Sequence, residues 1–225
     1  MMKPAAFLFD MDGLLIDSER VYQRVMLDIL VPKGHAPADV EALSLRLVGN
    51  SGVRGRALLA EFLDGGVDEF NAAWHAGVRD SLAAGVPLRP TVRHSIEALA
   101  ETGARMAVVT STHIAHARSN LERAGLLAHF ELVVGGDEVP ANKPDPAPYM
   151  QAAAGLGLDP QLCAAFEDSD AGTTSAVRAG CHTTQIPDLR PLHHPLPDLG
   201  QQVAPDLASA LMTLGAICQN GVLRG

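Results

Sequence analysis

Two aspartates that stand two positions apart are the first residues of this chain that could do chemistry. Asp10 and Asp12 follow the apolar run AAFLF, in the segment AAFLFDMDG. Like charges this close cost free energy unless a cation or a proton offsets them. An isolated pair of this kind more often serves a turn or caps a helix. The segment therefore has three interpretations: a metal site, an acid held protonated, or two solvated acids without a chemical role.

Polar side chains also follow three later apolar runs: Thr110 and Ser111, Lys143, and Glu167 with Asp168. Lys143 is one of only three lysines in 225 residues. Carboxylate oxygens hold hard cations such as Mg²⁺, and hydroxyl and ammonium groups bind phosphoryl oxygens. The whole set therefore predicts chemistry on a phosphate group.

Short apolar runs alternate with helical segments in the parts of the chain that carry these residues. We predict strands over 5–9, 104–110, 130–136, 162–168 and 181–187. We predict helices over 92–102, 114–124, 147–155, 169–179 and 207–215. This alternation predicts an α/β fold with a doubly wound parallel sheet. Ligands bind beyond the carboxyl ends of the strands in such a sheet, so the candidate residues should face one crevice.

The stretch between the first two predicted strands has a helical pattern throughout. Apolar residues recur at helical spacing in SERVYQRVMLDIL, VRGRALLAEFL and DEFNAAWHAGVRDSLAAG. We therefore expect an α/β catalytic core, residues 1–16 and 87–225, split by a helical insert, residues 17–86. The proline-rich stretch 187–206 is predicted to be one long loop.

Composition and charge limit the classes of partner. Apolar residues make up 47% of the chain and charged residues 19%, which favours a packed core. A formal net charge of −9 repels nucleic acid and anionic membranes. No run suits a signal peptide or reaches the roughly 18 apolar residues of a membrane span. Three cysteines without C-x-x-C spacing disfavour a disulfide framework or zinc site. We expect a cytoplasmic monomer or small homo-oligomer that binds neither nucleic acid nor membrane.

Four motifs follow one another in the order D-x-D-G-x-x-x-D-S-E from Asp10, V-V-T-S-T, N-K-P around Lys143, and E-D-S-x-A-G from Glu167. Together they resemble the haloacid dehalogenase superfamily, most closely the branch with a helical cap inserted after the first strand. The resemblance covers residues 7–187. Dehalogenases of this superfamily lack the second aspartate, whereas Asp12 is present. The resemblance therefore implies a Mg²⁺-dependent phosphatase of a small phosphorylated metabolite, such as a sugar phosphate or phosphoglycolate.

The same resemblance implies a role for each motif residue. Asp10 would be the nucleophile that forms an aspartyl-phosphate intermediate, and Asp12 the general acid and base. The implied magnesium ligands are Asp10, the Asp12 main-chain carbonyl, Asp168 and, directly or through water, Glu167. The implied phosphoryl-binding groups are Thr110, the Ser111 backbone and Lys143, which would also orient Asp10.

The chain departs from the pattern of its apparent relatives at two places. Asn142 stands before the motif lysine, where they usually have glycine. Thr91 ends the segment Leu88-Arg89-Pro90-Thr91, where the pattern is often L-x-P-G. Neither change removes a residue that would react.

Residues of the insert are candidates for choosing the substrate. Arg54 could hold a second anionic or hydroxyl-rich part of the substrate, although surface decoration is nearly as good an interpretation. We expect the glycines around it, in VGNSGVRGR, to form a turn: Gly49, Gly52 and Gly55. The other candidates are Tyr22, Arg79 and Trp74, and core packing is the expectation for Trp74.

Several polar residues have structural interpretations. Ser169 is predicted to be a helix N-cap, and Ser111 or Thr112 could cap the helix that begins near Ile114. His113 and His116 are expected to be exposed helix residues rather than a metal pair.

Two alternative functions stay open. One is a phosphomutase resembling β-phosphoglucomutase, but Tyr22 stands where such mutases place a histidine. The other is a non-catalytic protein that binds a phosphate ligand. The presence of every reacting residue argues against it.

Overall fold

The computed structural model describes residues 3–48, 52–190 and 195–218. The chain divides into two compact units. The first, called the α/β unit below, comprises Met1–Ile16, Leu88–Asp188 and Leu196–Gly225. The second, called the helical unit, comprises Asp17–Pro87 and Leu189–Pro195. No helix within the described ranges is long and apolar enough to cross a membrane.

A six-stranded parallel sheet forms the centre of the α/β unit in the described part of the chain. Its strands are β1 Ala6–Phe9, β2 Met106–Val109, β3 Leu132–Val134, β4 Cys163–Glu167, β5 His182–Gln185 and β6 Gln202–Val203. Their order across the sheet is β3-β2-β1-β4-β5-β6. The predicted α/β fold with a doubly wound parallel sheet is confirmed.

Strand β1 is the point where the strand order changes direction. It lies between β2 and β4, and its last residue, Phe9, pairs with Val108 on one side and Phe166 on the other. At such a point the connections from neighbouring strands run to opposite faces of the sheet and leave a crevice beyond the carboxyl ends. The residue that follows Phe9 therefore enters this crevice.

The described part of the helical unit contains four α-helices: α1 Ser18–Leu30, α2 Pro37–Leu47, α3 Gly52–Phe62 and α4 Val67–Ala84. They share an apolar core that includes Met26, Leu30 and Phe70. Trp74 packs against this core, and its indole N–H donates to the main-chain carbonyl of Tyr22 at 3.3 Å. No strand occurs among the described residues of this unit.

In the α/β unit, the residues that the structure describes form five further α-helices: α5 Val92–Glu101, α6 Ile114–Arg123, α7 Ala147–Gly155, α8 Asp170–Ala179 and α9 Leu207–Thr213. Apolar side chains of the strands alternate between the two faces of the sheet. Leu8 and Val109 share a buried cluster with Tyr149 of α7. Phe9 instead stacks on Phe166, with 5.1 Å between ring centroids. Burial on both faces explains why the strands read as short apolar runs.

The chain leaves and re-enters the α/β unit through adjacent segments. Ile16 and Leu88 form an antiparallel bridge, and the Arg89 N–H donates to the Leu15 carbonyl at 3.1 Å. In the helical unit the Asp17 N–H donates to the Pro87 carbonyl at 2.9 Å. The outgoing and returning segments are therefore paired with each other on both sides of the unit boundary.

Two local predictions were wrong. The predicted loop 187–206 contains strand β6, which pairs with β5 through Thr184↔Gln202 and Gln185↔Val203. A strand of two residues is too short to show any periodicity. Residues 191–194 of that loop lie outside the described residues. The predicted turn at Gly52 and Gly55 is instead the start of α3, and Gly49 lies outside the described residues.

Candidate active site

Asp10 occupies the crevice beyond strand β1. Its main-chain N–H donates to the Phe166 carbonyl at 3.0 Å, so the pairing of β1 with β4 continues one residue past the strand. This bond fixes the backbone from which the carboxylate projects. The side chain is buried, at 6% exposure for the whole residue.

Lys143 joins two buried carboxylates. Its ammonium lies 2.5 Å from Asp10 Oδ1 and 2.7 Å from Glu167 Oε1, and it donates to the Val109 carbonyl at 2.8 Å. An ammonium has three N–H donors, so these contacts account for all of them. Burial alone would lower the pKa of Lys143, but the Asp10 and Glu167 carboxylates outweigh it and raise the pKa. The side chain therefore carries its charge at neutral pH.

The Asp10 carboxylate is in an electrostatically unfavourable place without a further cation. Burial raises its pKa to about 8, the charges of Glu167 and Asp12 add to this, and Lys143 opposes it. A nucleophilic carboxylate has to be ionised. Ionisation at neutral pH therefore needs positive charge beyond that of Lys143.

Three carboxylates can supply that cation with ligands. Oxygens of Asp10, Glu167 and Asp168 all lie within 4.8 Å of one another. Gly13, with φ of 81°, packs against Asp168, and a Cβ at this position would overlap its carboxylate. The backbone here can approach the acids only because the residue is glycine. Hard oxygen donors with an excess of negative charge suit Mg²⁺ rather than a soft metal.

Two threonines hold Asp12. The Thr112 hydroxyl donates to Asp12 Oδ2 at 2.7 Å, and the Thr110 hydroxyl lies 3.4 Å from the same oxygen. The Thr112 N–H donates to the Thr110 hydroxyl at 3.1 Å. From the sequence, the only role predicted for Thr112 is that of a helix cap. Thr112 stands two positions after Thr110, and in an extended chain residues two positions apart project to the same side. This spacing is the signal that could have identified Thr112.

Glu167 is completely buried, at 0% exposure, and is surrounded by donors. Tyr149 donates to its Oε1 at 2.5 Å, and Ser169 lies 3.5 Å from its Oε2. A Cβ at Gly172 would overlap the same carboxylate. Burial, followed by the charges of Glu167 and Asp10, raises the pKa of Tyr149 well above its usual value, so the phenol stays protonated. Sequence reasoning missed Tyr149, although it is one of only two tyrosines in the chain.

The structure gathers most of the predicted site at the carboxyl end of the sheet. Bonds or close approaches link this set: Asp10, Asp12, Thr110, Lys143, Glu167 and Asp168. Ser111 follows Thr110 and is exposed. Arg54 lies in α3 of the helical unit, in a helix rather than a loop, and is also exposed. The roles of individual residues stay predictions.

The helix caps next to the site follow the prediction only in part. Ser169 caps α8, because its hydroxyl accepts from the Gly172 N–H at 3.1 Å. Neither Ser111 nor Thr112 caps α6; the cap is His113, which accepts from the Ala115 N–H at 3.3 Å. His113 Nε2 also lies 3.1 Å from Asp137 Oδ2. Both His113 and His116 are exposed, as expected.

Comparison with known proteins identifies the family. A family model of haloacid dehalogenase-like hydrolases matches residues 4–180. The chain belongs to the haloacid dehalogenase-like hydrolase family, as the four motifs predicted.

Relatives of known name include phosphatases. A phosphorylated carbohydrates phosphatase of Thermotoga maritima is 30% identical over 177 residues, which cover 78% of this chain and 81% of the relative. Hexitol phosphatase A of Escherichia coli is 32% identical over 190 residues, with 82% and 84% covered. The crystal structure of a hydrolase of this family from Deinococcus radiodurans, with bound phosphate and sodium, has a TM-score of 0.77 at 26% identity and covers 95% of this chain and 97% of that one.

Proposed function

We propose that this chain is a Mg²⁺-dependent phosphatase that hydrolyses a small phosphorylated metabolite through an aspartyl phosphate on Asp10. The observation that carries the proposal is the position of Asp10: it projects from the central strand, bonded to Lys143, with Asp12 two residues away and held by Thr112. Nucleophile, cation and acid thus occupy one crevice.

The enzyme class predicted from the sequence, a phosphoric monoester hydrolase, is confirmed by family membership together with relatives that are named phosphatases. The metal and the covalent intermediate are proposals. They are supported by the acidic cluster and by the buried, lysine-bonded Asp10.

In the first step the Asp10 carboxylate attacks phosphorus while the bond from phosphorus to the ester oxygen breaks. Asp12 gives its proton to the departing oxygen, which leaves as an alcohol. Lys143 keeps Asp10 oriented, and the Thr110 hydroxyl and the Ser111 backbone bind phosphoryl oxygens. Bound Mg²⁺, held by Asp10, Asp168, the Asp12 carbonyl and Glu167, would neutralise the negative charge shared by nucleophile and phosphate.

In the second step Asp12, now a carboxylate, takes a proton from water as the water oxygen bonds to phosphorus. The bond between phosphorus and Asp10 breaks, inorganic phosphate leaves, and both aspartates return to their starting forms. One residue serves as acid and then as base, so Asp12 has to change protonation state within each turnover.

We further propose that residues 17–86 act as a cap that selects a phosphorylated carbohydrate. This class is supported by two relatives, the phosphorylated carbohydrates phosphatase of Thermotoga maritima and hexitol phosphatase A of Escherichia coli. Arg54, exposed on α3, is the proposed contact for a hydroxyl-rich part of the substrate. Arg54→Ala should raise KM for the sugar phosphate more than KM for a small aryl phosphate. Equal changes in both would remove Arg54 from this role.

The decisive experiment measures free phosphate released from a panel of phosphate esters in the presence of Mg²⁺. Asp10→Asn should reduce turnover to background, because an amide is not a nucleophile at phosphorus. Asp64→Asn, at an exposed turn of the helical unit, is the matched control and should turn over like the parent.

Three results would contradict the proposal, each in a different way. Turnover by Asp10→Asn at the parent rate would exclude the covalent mechanism. An isomerised sugar phosphate in place of free phosphate would favour the phosphomutase. Binding of phosphate esters without any turnover would favour the non-catalytic protein.

A further inference from the structure

Tyr149 contacts both members of the buried Lys143–Glu167 pair. Its hydroxyl donates to Glu167 Oε1 at 2.5 Å, and the Lys143 ammonium lies 5.4 Å from the centroid of its ring. The residue is completely buried within α7, at 0% exposure. One side chain therefore touches the acid through its polar end and the cation through its aromatic face.

The hydroxyl is the part of Tyr149 that core packing does not explain. Helix α7 reads APYMQAAAG, and its other buried residues are Pro148, Ala152 and Ala153, none of which has a polar side chain. A phenylalanine would fill the same apolar space without burying a polar atom. A buried hydroxyl costs free energy unless it is hydrogen-bonded, and here its partner is Glu167.

The bond matters because of how Glu167 is placed. Its Oε1 accepts from both Tyr149 and Lys143, while Oε2 faces Ser169 and the backbone at Gly172. Because Glu167 is completely buried, these donors from the protein fix the orientation of its carboxylate. Among the described residues, loss of the Tyr149 hydroxyl would leave Lys143 as the donor to Oε1 and Ser169 as the donor near Oε2.

Lys143 in turn has no spare donor. Its three N–H groups reach Asp10, Glu167 and the Val109 carbonyl, at 2.5, 2.7 and 2.8 Å. A shift of Glu167 therefore moves the ammonium, and the ammonium is what orients Asp10. Three contacts, through Glu167 and Lys143, link the Tyr149 hydroxyl to Asp10.

We propose that Tyr149 is a positioning residue for phosphoryl transfer, which holds Glu167 by its hydroxyl and Lys143 by its ring so that the ammonium stays aligned with Asp10. This inference rests on the proposed phosphatase function. Alignment of the ammonium matters most when charge develops on the transferring phosphoryl group. Loss of the alignment should therefore weaken binding of the transition state more than binding of phosphate.

The test compares the parent with Tyr149→Phe, which removes only the hydroxyl, and Tyr149→Leu, which also removes the ring. For each we measure kcat, KM, and the inhibition constants of vanadate and inorganic phosphate. Vanadate adopts the five-coordinate geometry of the transition state, whereas phosphate reports ground-state binding. Tyr149→Phe should lower kcat and vanadate affinity about tenfold, the effect of one hydrogen bond to a charged group. KM and phosphate affinity should change less than about twofold, and Tyr149→Leu should lose more in kcat than Tyr149→Phe.

Leu156→Val controls for loss of stability. Leu156 lies at the end of α7 in the same apolar cluster, so this variant loosens the packing without touching Glu167. It should lower the unfolding midpoint while leaving the ratio of vanadate to phosphate affinity unchanged.

Two results would overturn the inference while leaving the phosphatase in place: Tyr149→Phe with the parent kcat, or a fall in kcat with the affinity ratio unchanged, as in Leu156→Val. A parent that releases no phosphate from any ester would instead overturn the proposed function, and this inference with it.

Discussion

The α/β unit and the helical unit both contain close ion pairs, and the pairs differ in burial. Lys143 and Glu167 lie 2.7 Å apart with side-chain exposures of 6% and 0%. Arg56 and Asp68, in the helical unit, lie 2.6 Å apart with exposures of 55% and 84%. The distances are nearly equal, but water solvates only the second pair. Distance alone therefore says little about what a pair does.

Burial changes how much an ion pair contributes to stability, because removing charges from water costs free energy. A buried pair is often no more stabilising than apolar residues of the same size. Deleting one partner nevertheless destabilises the protein strongly, because the other charge is left buried and unpaired. An exposed pair contributes little because solvent and salt screen it. A buried pair at the carboxyl end of β4, in contact with Asp10, is thus better explained by function than by stability.

Lys143→Met should have the largest effect, because it leaves Asp10 and Glu167 buried without a cation. We expect about 3–5 kcal/mol lower unfolding free energy. We expect turnover at least a hundredfold lower, comparable with removal of one donor to a developing anion. Urea denaturation and phosphate release measure the two effects. Lys33→Met, which removes an exposed lysine of the helical unit, should change neither. A stable, active Lys143→Met would contradict the functional interpretation of the pair.

The raised pKa of Asp10 predicts how metal-free protein responds to pH. Because its pKa is about 8 in the folded state and about 4 when unfolded, the folded state binds the extra proton between these values. Stability from this group is therefore full below pH 4 and is lost as pH rises to 8. Saturating Mg²⁺ should restore stability most at the alkaline end. Unfolding midpoints from pH 5 to 8, with EDTA or with Mg²⁺, measure the effect. The same slope in both conditions would count against a cation at this site.

Thr112→Val tests the hydroxyl that holds Asp12. We expect kcat for an alkyl phosphate to fall about tenfold, because Asp12, the proposed general acid, loses the hydrogen bond that orients it. An aryl phosphate should suffer less, since its leaving group needs less protonation. Thr112→Ser keeps the donor and should behave like the parent. Equal losses on both substrates would show that Thr112 does not act through Asp12.

Arg56→Ala should have the smallest effect, because both partners of this pair are solvated in the helical unit. The urea midpoint in 0.15 M salt should stay within experimental error, and phosphate release should be unchanged. A loss approaching that of Lys143→Met would mean that exposure does not separate the two kinds of pair.

The sequence predicts β1, β2 and β4 well because each is a short, mainly apolar run with polar residues at its end. Helix α7 has the predicted bounds, 147–155, and β1 differs by one residue. Strand β6 and the cap of α6 could not be predicted in the same way. A two-residue strand has no period, and His113 acts as a cap only because its ring turns back to the Ala115 N–H.

The sequence predicts most of the residues that lie together in the candidate site, but it does not indicate Thr112 and Tyr149 as their hydrogen-bond partners. Thr112 lies 100 positions from Asp12, and Tyr149 lies 18 from Glu167, so each contact depends on tertiary packing. Motif residues are recognised because they recur in a fixed order. A residue that only orients another one leaves no such pattern in a single sequence.

The two departures from the family pattern have local explanations. The Asn142 side-chain amide donates to the Gly136 carbonyl at 3.0 Å, a bond that the usual glycine could not make. Thr91 adopts φ of 68°, a left-handed conformation in which glycine is normally found. Its hydroxyl accepts from the Ala208 N–H at 3.3 Å, which ties the start of α5 to α9.

The segments around Ile16 and Leu88 are paired, so the insert begins and ends at adjacent points of the α/β unit. Because the two ends of the insert are already side by side, closing the gap with a longer, shorter or unrelated segment changes the loop-closure entropy only slowly. The α/β unit can therefore keep its fold while the inserted segment changes in length and sequence.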